Sequence, residues 1–331
     1  MRRAIAAAGF ATLLVAVVGA TPVSASGGVP NFDHVFVIMM ENTGFDSLIG
    51  NPNAPFINEA AGQFGLATNY FGVTHPSQPN YIAATAGVTG PTSDDNETLA
   101  IPNIVDQVEG SGRTWKGYMQ SYSLCNGNAL ARACGNQLYE RKHNPFITFA
   151  DVQSNPARIA NIVDFGRLSS DLASGNVANY VWISPDQCND MHGRFSLTPA
   201  TDPCAFAHVQ GLIATGDTFL ANTVAMIQAS ETWQNSNSAI FIMWDEADFT
   251  GSGFHGFGDD TGCCDSVAGQ GGGHVVSLVI ASSNDNTRTS GVAFNHYSLL
   301  STVQHAWNLG CLGFTCDGAN VRPMTALTDN N

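Results

Sequence analysis

Val35-Phe36-Val37-Ile38-Met39-Met40 runs straight into Glu41-Asn42, six apolar residues followed at once by a carboxylate and an amide. A run that is apolar at every position, without alternation, fits a strand covered on both of its faces. The construction recurs downstream. Ala239–Trp244 runs into Asp245-Glu246, and Tyr180–Ile183 is followed by Asp186, Asn189, Asp190 and His192. A fourth apolar run, Val275–Ala281, follows Gly272-Gly273-His274. Between these runs lie helical patterns at Pro55–Phe64, Pro79–Ala86, Val209–Gln228 and Tyr297–Trp307. Short strands alternating with longer helices predict an α/β fold, a central mostly parallel sheet with helices on both faces.

The ends of the chain's strands carry the chemistry. In open α/β sheets, ligands sit beyond the carboxyl ends of the strands. If the three strands ending near Glu41, Asp190 and Asp245 share a sheet, their acidic residues meet on one edge. Carboxylates gathered in that way repel one another until a cation neutralises them, which points to a divalent metal. Each acidic residue taken singly also suits a helix cap or a turn. Ser77, in Thr74-His75-Pro76-Ser77-Gln78-Pro79-Asn80-Tyr81, stands at the start of a predicted helix. Such an end offers unpaired N–H groups and a positive dipole to a phosphoryl group, although a serine there is ordinarily a cap. His75, two residues earlier, is placed to orient phosphate or to assist a leaving group.

Composition narrows the partners. Met1-Arg2-Arg3, an apolar stretch from Ala4 to Ala20 and Val23-Ser24-Ala25 form the pattern of a cleaved signal peptide over residues 1–25. Gly9, Thr12 and Gly19 interrupt the apolar stretch, which argues against a membrane anchor. Residues 26–331 are expected to form a single catalytic domain, secreted and without a transmembrane segment. Without Arg2 and Arg3, ten basic residues face 27 acidic ones and the formal charge moves from -15 to -17. That surface excludes nucleic acid as a partner and repels phosphate esters, so an anionic substrate needs a local positive centre. Eight cysteines in an exported chain suggest disulfides. Near pairs are Cys125 with Cys134, Cys188 with Cys204, and Cys311 with Cys316, leaving Cys263 and Cys264 to join each other or to pair elsewhere. Phe249 to Gly273, dense in glycine and aspartate and including His255, reads as a long loop near the site.

Five pieces in register carry a family resemblance: Met39-Met40-Glu41-Asn42 with Phe45-Asp46 and Gly50; the Thr74–Tyr81 segment; Asn189-Asp190-Met191-His192; Trp244-Asp245-Glu246; and Gly272-Gly273-His274-Val275. Together they resemble the phosphoesterase family of bacterial acid phosphatases and phospholipases C, which is related to the alkaline phosphatase superfamily. The resemblance implies an alkaline-phosphatase-like fold and a divalent metal held by Glu41, Asn42, Asp245 and Glu246. It also implies that Ser77 is the nucleophile, touching that metal. Asp190 and His192 match a motif that binds phosphoryl oxygens or a second metal, and His274 matches a further phosphate- or metal-binding histidine. Ser77, His192 and His274 are thus the catalytic candidates, with His75, Asn80 and Asp190 for substrate binding.

The short gap from Glu41 to Ser77 is similar to the small acid phosphatase and phosphatidylinositol-3-phosphatase branch. Thr43-Gly44 stands where the phospholipase branch often has Arg-Ser, and Asp245-Glu246 replaces the Asp-His of alkaline phosphatases. Oxygen ligands favour calcium, magnesium or manganese, while the histidines leave zinc or iron open. The expected activity is that of a phosphomonoesterase working through a phosphoserine, on small phosphate esters and phosphoinositide headgroups. A phospholipase C or other phosphodiesterase is the second reading, and a non-catalytic secreted binding protein the third.

Overall fold

A computed structural model describes residues 28–248, 258–265, 271–283 and 287–328; the signal-peptide stretch and His255 lie outside them. Among the described residues, nine strands form one sheet: β1 (His34–Met40), β2 (Gly65–Phe71), β3 (Trp115–Met119), β6 (Ile162–Asp164), β7 (Tyr180–Ser184), β8 (Ser238–Trp244), β9 (His274–Ala281), β10 (Arg288–Ser290) and β11 (Phe294–Asn295). Their order is β10-β2-β9-β8-β1-β7-β3-β6, with β11 also on β2. The remaining two, β4 (Ala133–Cys134) and β5 (Tyr139–Glu140), make a separate antiparallel hairpin.

The four continuous apolar runs all become strands of this sheet. Val35 to Met40 and Ala239 to Trp244 are fully buried. Successive side chains of a strand point to opposite faces, so both faces here are covered. Each buried isoleucine or phenylalanine in these strands contributes about 1.5–3 kcal/mol of transfer free energy, enough to hold charged strand ends side by side. Register does the rest. Met40 pairs with Trp244 across β1 and β8, and Ile38 pairs with Ile183 across β1 and β7, all parallel. Glu41 and Asp245 therefore leave the sheet at the same edge.

One strand breaks the parallel pattern. β9 runs antiparallel to both β8 and β2. Its first residue, His274, consequently starts at the edge where β8 ends. The helix Ser77–Ala86 is buried along its whole length and packs on the helix His296–Ala306. The helices Pro55–Gln63 and Val209–Gln228 form a second pair. Four disulfides are formed: the three sequence-near pairs, and Cys263 with Cys264. No helix among the described residues is long and apolar enough to cross a membrane.

Gly72 shows how tightly the site edge is packed. A Cβ added there would stand 2.7 Å from the Asp245 carbonyl oxygen and 2.9 Å from Gly272, both backbone. The Gly72 amide also donates to the Gly273 carbonyl at 2.9 Å, and the Gly272 amide donates back to Gly72 at 3.0 Å. Backbone on both sides cannot yield as a side chain would. Gly72→Ala is expected to cost more than about 2 kcal/mol, read as a lowered midpoint in urea denaturation.

Candidate active site

The strand ends deliver Glu41, Asp245 and Glu246, each fully buried, to one place. The Asn42 amide nitrogen donates to Asp245 Oδ1 at 3.1 Å, and its side-chain nitrogen donates to Glu246 Oε1 at 3.0 Å. Ser77, at the first turn of its helix, completes the group. Its Oγ lies 3.0 Å from both Glu41 Oε2 and Glu246 Oε1, yet one hydroxyl proton can serve only one of them at a time. Tyr81, one turn further along, donates to Glu41 Oε1 at 2.6 Å. Burial, reinforced by Glu41, holds the Tyr81 phenol well above its ordinary pKa, so it remains a donor.

The electrostatics are those of crowded anions. Burial first, then the charge of Asp245, pushes Glu41 well above the carboxylate range. Burial and Glu246 do the same to Asp245. Two buried acceptors, Asp245 Oδ2 and Asn42 Oδ1, have no hydrogen-bond partner. No three His, Cys, Asp or Glu side chains among the described residues converge as a finished metal shell. The donor set nevertheless fits a hard divalent cation: three carboxylates, an amide oxygen and a hydroxyl, with two of the oxygens left unsatisfied among the described residues.

The other predicted residues are distributed less simply. His75 contacts Glu246 Oε2 through Nδ1, and its Nε2 lies 2.9 Å from the Asp259 carbonyl. Burial alone would lower its pKa, but Glu246 and Asp259 together raise it. With both ring nitrogens engaged, His75 orients Glu246 in this arrangement. Asn80 serves its own turn. Its Oδ1 accepts from the amides of Val73 and Thr74, and its Nδ2 donates to the carbonyls of Thr74 and Pro76. Its amide builds the turn before Ser77 and has nothing left for substrate. His274 stacks on Phe45 at 4.3 Å between centroids, with Nε2 3.1 Å from the Thr68 carbonyl. Its backbone amide donates to Asp259 Oδ2 at 2.8 Å, and the Asp259 carbonyl meets His75, which contacts Glu246.

Asp190 and His192 occupy a neighbouring layer. The Glu41 amide donates to the Asp190 carbonyl at 2.9 Å, and Asp190 Oδ1 accepts from the His192 amide at 2.8 Å. Among the described residues, buried Asp190 Oδ2 lacks a hydrogen bond. Burial, with Lys142 nearby, depresses His192 to about 4. Between the layers stands His143, to which the sequence reading gives no role. Its Nε2 is 3.2 Å from Glu41 Oε1 and its Nδ1 3.6 Å from Asp190 Oδ2, and its ring stacks on Tyr81. His296, likewise unassigned, lies with Nε2 2.6 Å from the Asp245 carbonyl and fixes that strand end.

The segment from Gly90 to Thr98 sends Asp94 to the Ser77 helix. Asp94 Oδ1 takes the Gln78 amide at 2.9 Å, so one N–H expected to meet phosphate is already used.

This cluster, at the carboxyl edge of a mostly parallel sheet, now has a lineage. The model of the Phosphoesterase family matches residues 51–310. The chain belongs to the Phosphoesterase family. A probable acid phosphatase of Kluyveromyces lactis is 27% identical over 90% of this chain, which spans 64% of that relative's length. A phosphatidylinositol-3-phosphatase of Mycobacterium tuberculosis is 26% identical over 98% of this chain and 93% of its own. Among solved structures, an alkaline phosphatase superfamily protein of Vibrio parahaemolyticus superposes with a TM-score of 0.57 at 11% identity, covering 93% of this chain and 75% of that one. The fold of this Phosphoesterase member is thus alkaline-phosphatase-like. The family match begins after Glu41 and Asn42, so their place in the site rests on the sheet register described above.

Proposed function

We propose that the protein is an exported, metal-dependent phosphomonoesterase, a single catalytic domain over residues 26–331, with Ser77 as nucleophile. The observation that carries this is Ser77 Oγ held at 3.0 Å from two buried carboxylates at once. The family membership and the acid phosphatase and phosphatidylinositol-3-phosphatase relatives support phosphate monoesters as substrates, phosphoinositide headgroups included. The leader-like residues 1–25 and four disulfides support export.

Glu41, Asn42, Asp245 and Glu246, with Ser77, are the residues that would hold the cation. Once bound, a divalent cation neutralises the carboxylates and lowers the pKa of a hydroxyl beside it. Ser77 Oγ then attacks phosphorus, its proton held at Glu41 Oε2 or Glu246 Oε1. The P–O bond to the alcohol breaks, the alkoxide is reprotonated, and water hydrolyses the phosphoserine to release phosphate. Tyr81 keeps Glu41 in place by donating to Oε1, and His75 does the same for Glu246. Thr43-Gly44 in place of Arg-Ser favours monoesters over the phospholipase reading.

A substrate panel tests this. Wild-type protein is expected to hydrolyse phenyl phosphate, to leave phosphatidylcholine intact, and to lose turnover in EDTA until magnesium, manganese, calcium or zinc is restored. Preferential release of phosphocholine would replace the phosphatase reading with a phospholipase C. Failure to hydrolyse any phosphate ester under every metal would leave a binding protein.

A further inference from the structure

The helix Val209–Gln228 meets the helix Pro55–Gln63 on one flank, where Asp217 accepts from the amides of Phe56 and Ile57. The opposite flank, with Thr215, Thr218, Asn222 and Met226, lines a cavity of about 670 Å³. That volume is within the range of small-ligand sites. Across it stand Phe165, the residue after β6, and Asn189, on the turn after β7 and next to Asp190 in the chain. The cavity thus opens at the carboxyl edge of the sheet, yet neither Ser77 nor any carboxylate around it is on the lining.

Its chemistry is neutral. No Asp, Glu, Lys, Arg or His among the described residues lines it, so an ion entering would lose hydration without meeting a counter-charge. The floor is aromatic: the rings of Phe165 and Phe219 pack at 5.0 Å between centroids, tilted by 46°. Two polar side chains are unpaired. Thr223 is 2% exposed and Asn222 is exposed, and neither has a hydrogen-bond partner among the described residues. A threonine inside a helix can return its hydroxyl to the carbonyl four residues back, as Thr215 does to Gly211 and Thr218 to Ala214, both at 2.8 Å. Thr223, the most buried of the three, makes no such bond. A hydroxyl left unpaired at that depth costs about 1–3 kcal/mol until a partner reaches it from the cavity. Asn189 engages its Nδ2 with Gln120 Oε1 and Asp186 Oδ1, each at 3.1 Å, which leaves its Oδ1 as an acceptor.

An apolar ligand would leave these groups unpaired, and an ion would find no opposite charge. A neutral ring with hydroxyls at its rim and C–H groups on its face satisfies both the amides and the aromatic floor. We propose that the cavity binds a pyranose unit of a neutral saccharide, with its C–H face on Phe165 and Phe219 and its hydroxyls on Asn222, Thr223 and Asn189. The site is independent of the phosphomonoesterase reading, and a saccharide bound there leaves the Ser77 cluster open.

Isothermal titration calorimetry of the wild-type protein with maltohexaose, cellohexaose and mannohexaose tests this. At least one hexaose is expected to bind with a dissociation constant of about 1 mM or lower. Cyclohexanol, a ring of the same size with a single hydroxyl, is expected not to displace it. Asn222→Ala should weaken binding about tenfold, and Thr218→Arg, which lays a long charged side chain over the cavity, should abolish it. Both positions are exposed on the helix and both replacements are good helix formers, so melting temperatures should match wild type. Turnover of phenyl phosphate should be the same in all three proteins, and its absence in wild type would sink the phosphatase reading alone. Failure of all three hexaoses to bind, displacement by cyclohexanol, or binding that survives Thr218→Arg overturns the saccharide site.

Discussion

Ser77→Ala is expected to lower kcat on phenyl phosphate by about a thousandfold or more, on the order of 4 kcal/mol of barrier. The serine is the one uncharged hydroxyl shared by Glu41 and Glu246, and both contacts are 3.0 Å long. Its removal also takes away the one proton that a pair of buried carboxylates shares in turn, a cost of about 1–3 kcal/mol. That lowers the melting temperature by several degrees but leaves the fold, because alanine suits the first turn of a helix and adds no volume. The informative result is the contrast between a large kinetic loss and a modest thermal one. Turnover within tenfold of wild type in a folded Ser77→Ala protein would remove Ser77 as the nucleophile.

Asp245→Asn should reverse sign with metal. In chelator, wild type carries three crowded carboxylates, and burial with the Glu246 charge already pushes Asp245 well above its usual range. Asparagine is nearly isosteric and uncharged, so the variant should melt higher than wild type without metal. With cation added, wild type gains stability as the site fills, about 2.7 kcal/mol when free metal is a hundred times its dissociation constant. The variant should gain far less, and the order of melting temperatures should invert. Differential scanning calorimetry in EDTA and in each of magnesium, manganese, calcium and zinc measures this. Wild-type melting that is indifferent to all four would count against a metal at Glu41, Asp245 and Glu246.

Much of the framework was readable in the chain because its signals are local. Val35–Met40 and Ala239–Trp244 declare buried strands through unbroken apolarity, and the residue that follows each is fixed at an edge by that alone. Direction is not encoded in such a run. The antiparallel course of β9 therefore appears only in the structure. Residue type also misleads about side-chain direction: Asn80 and His274 sit in the expected segments, yet one serves its own turn and the other an aromatic stack. His143, Lys142 and Asp94 carry no role in the sequence reading for a different reason. They come from polar loops with no periodicity, and tertiary pairing alone, such as Lys142 with Asp94, carries them to the site. The one available hint was the Cys125–Cys134 bridge, which compacts the loop preceding Lys142 and His143.

Because β8 and β9 are antiparallel neighbours, residues 245–273 depart from and return to a single rim of the sheet. A parallel crossover would have had to traverse the molecule, so its length would be bound to the thickness of the fold. Here an excursion can grow or shrink without rethreading a strand, and doubling it adds only about 0.6 kcal/mol of closure entropy. Variation at its described residues, such as Asp259 against His75, can thus retune the rim of the site while the sheet stays unaltered.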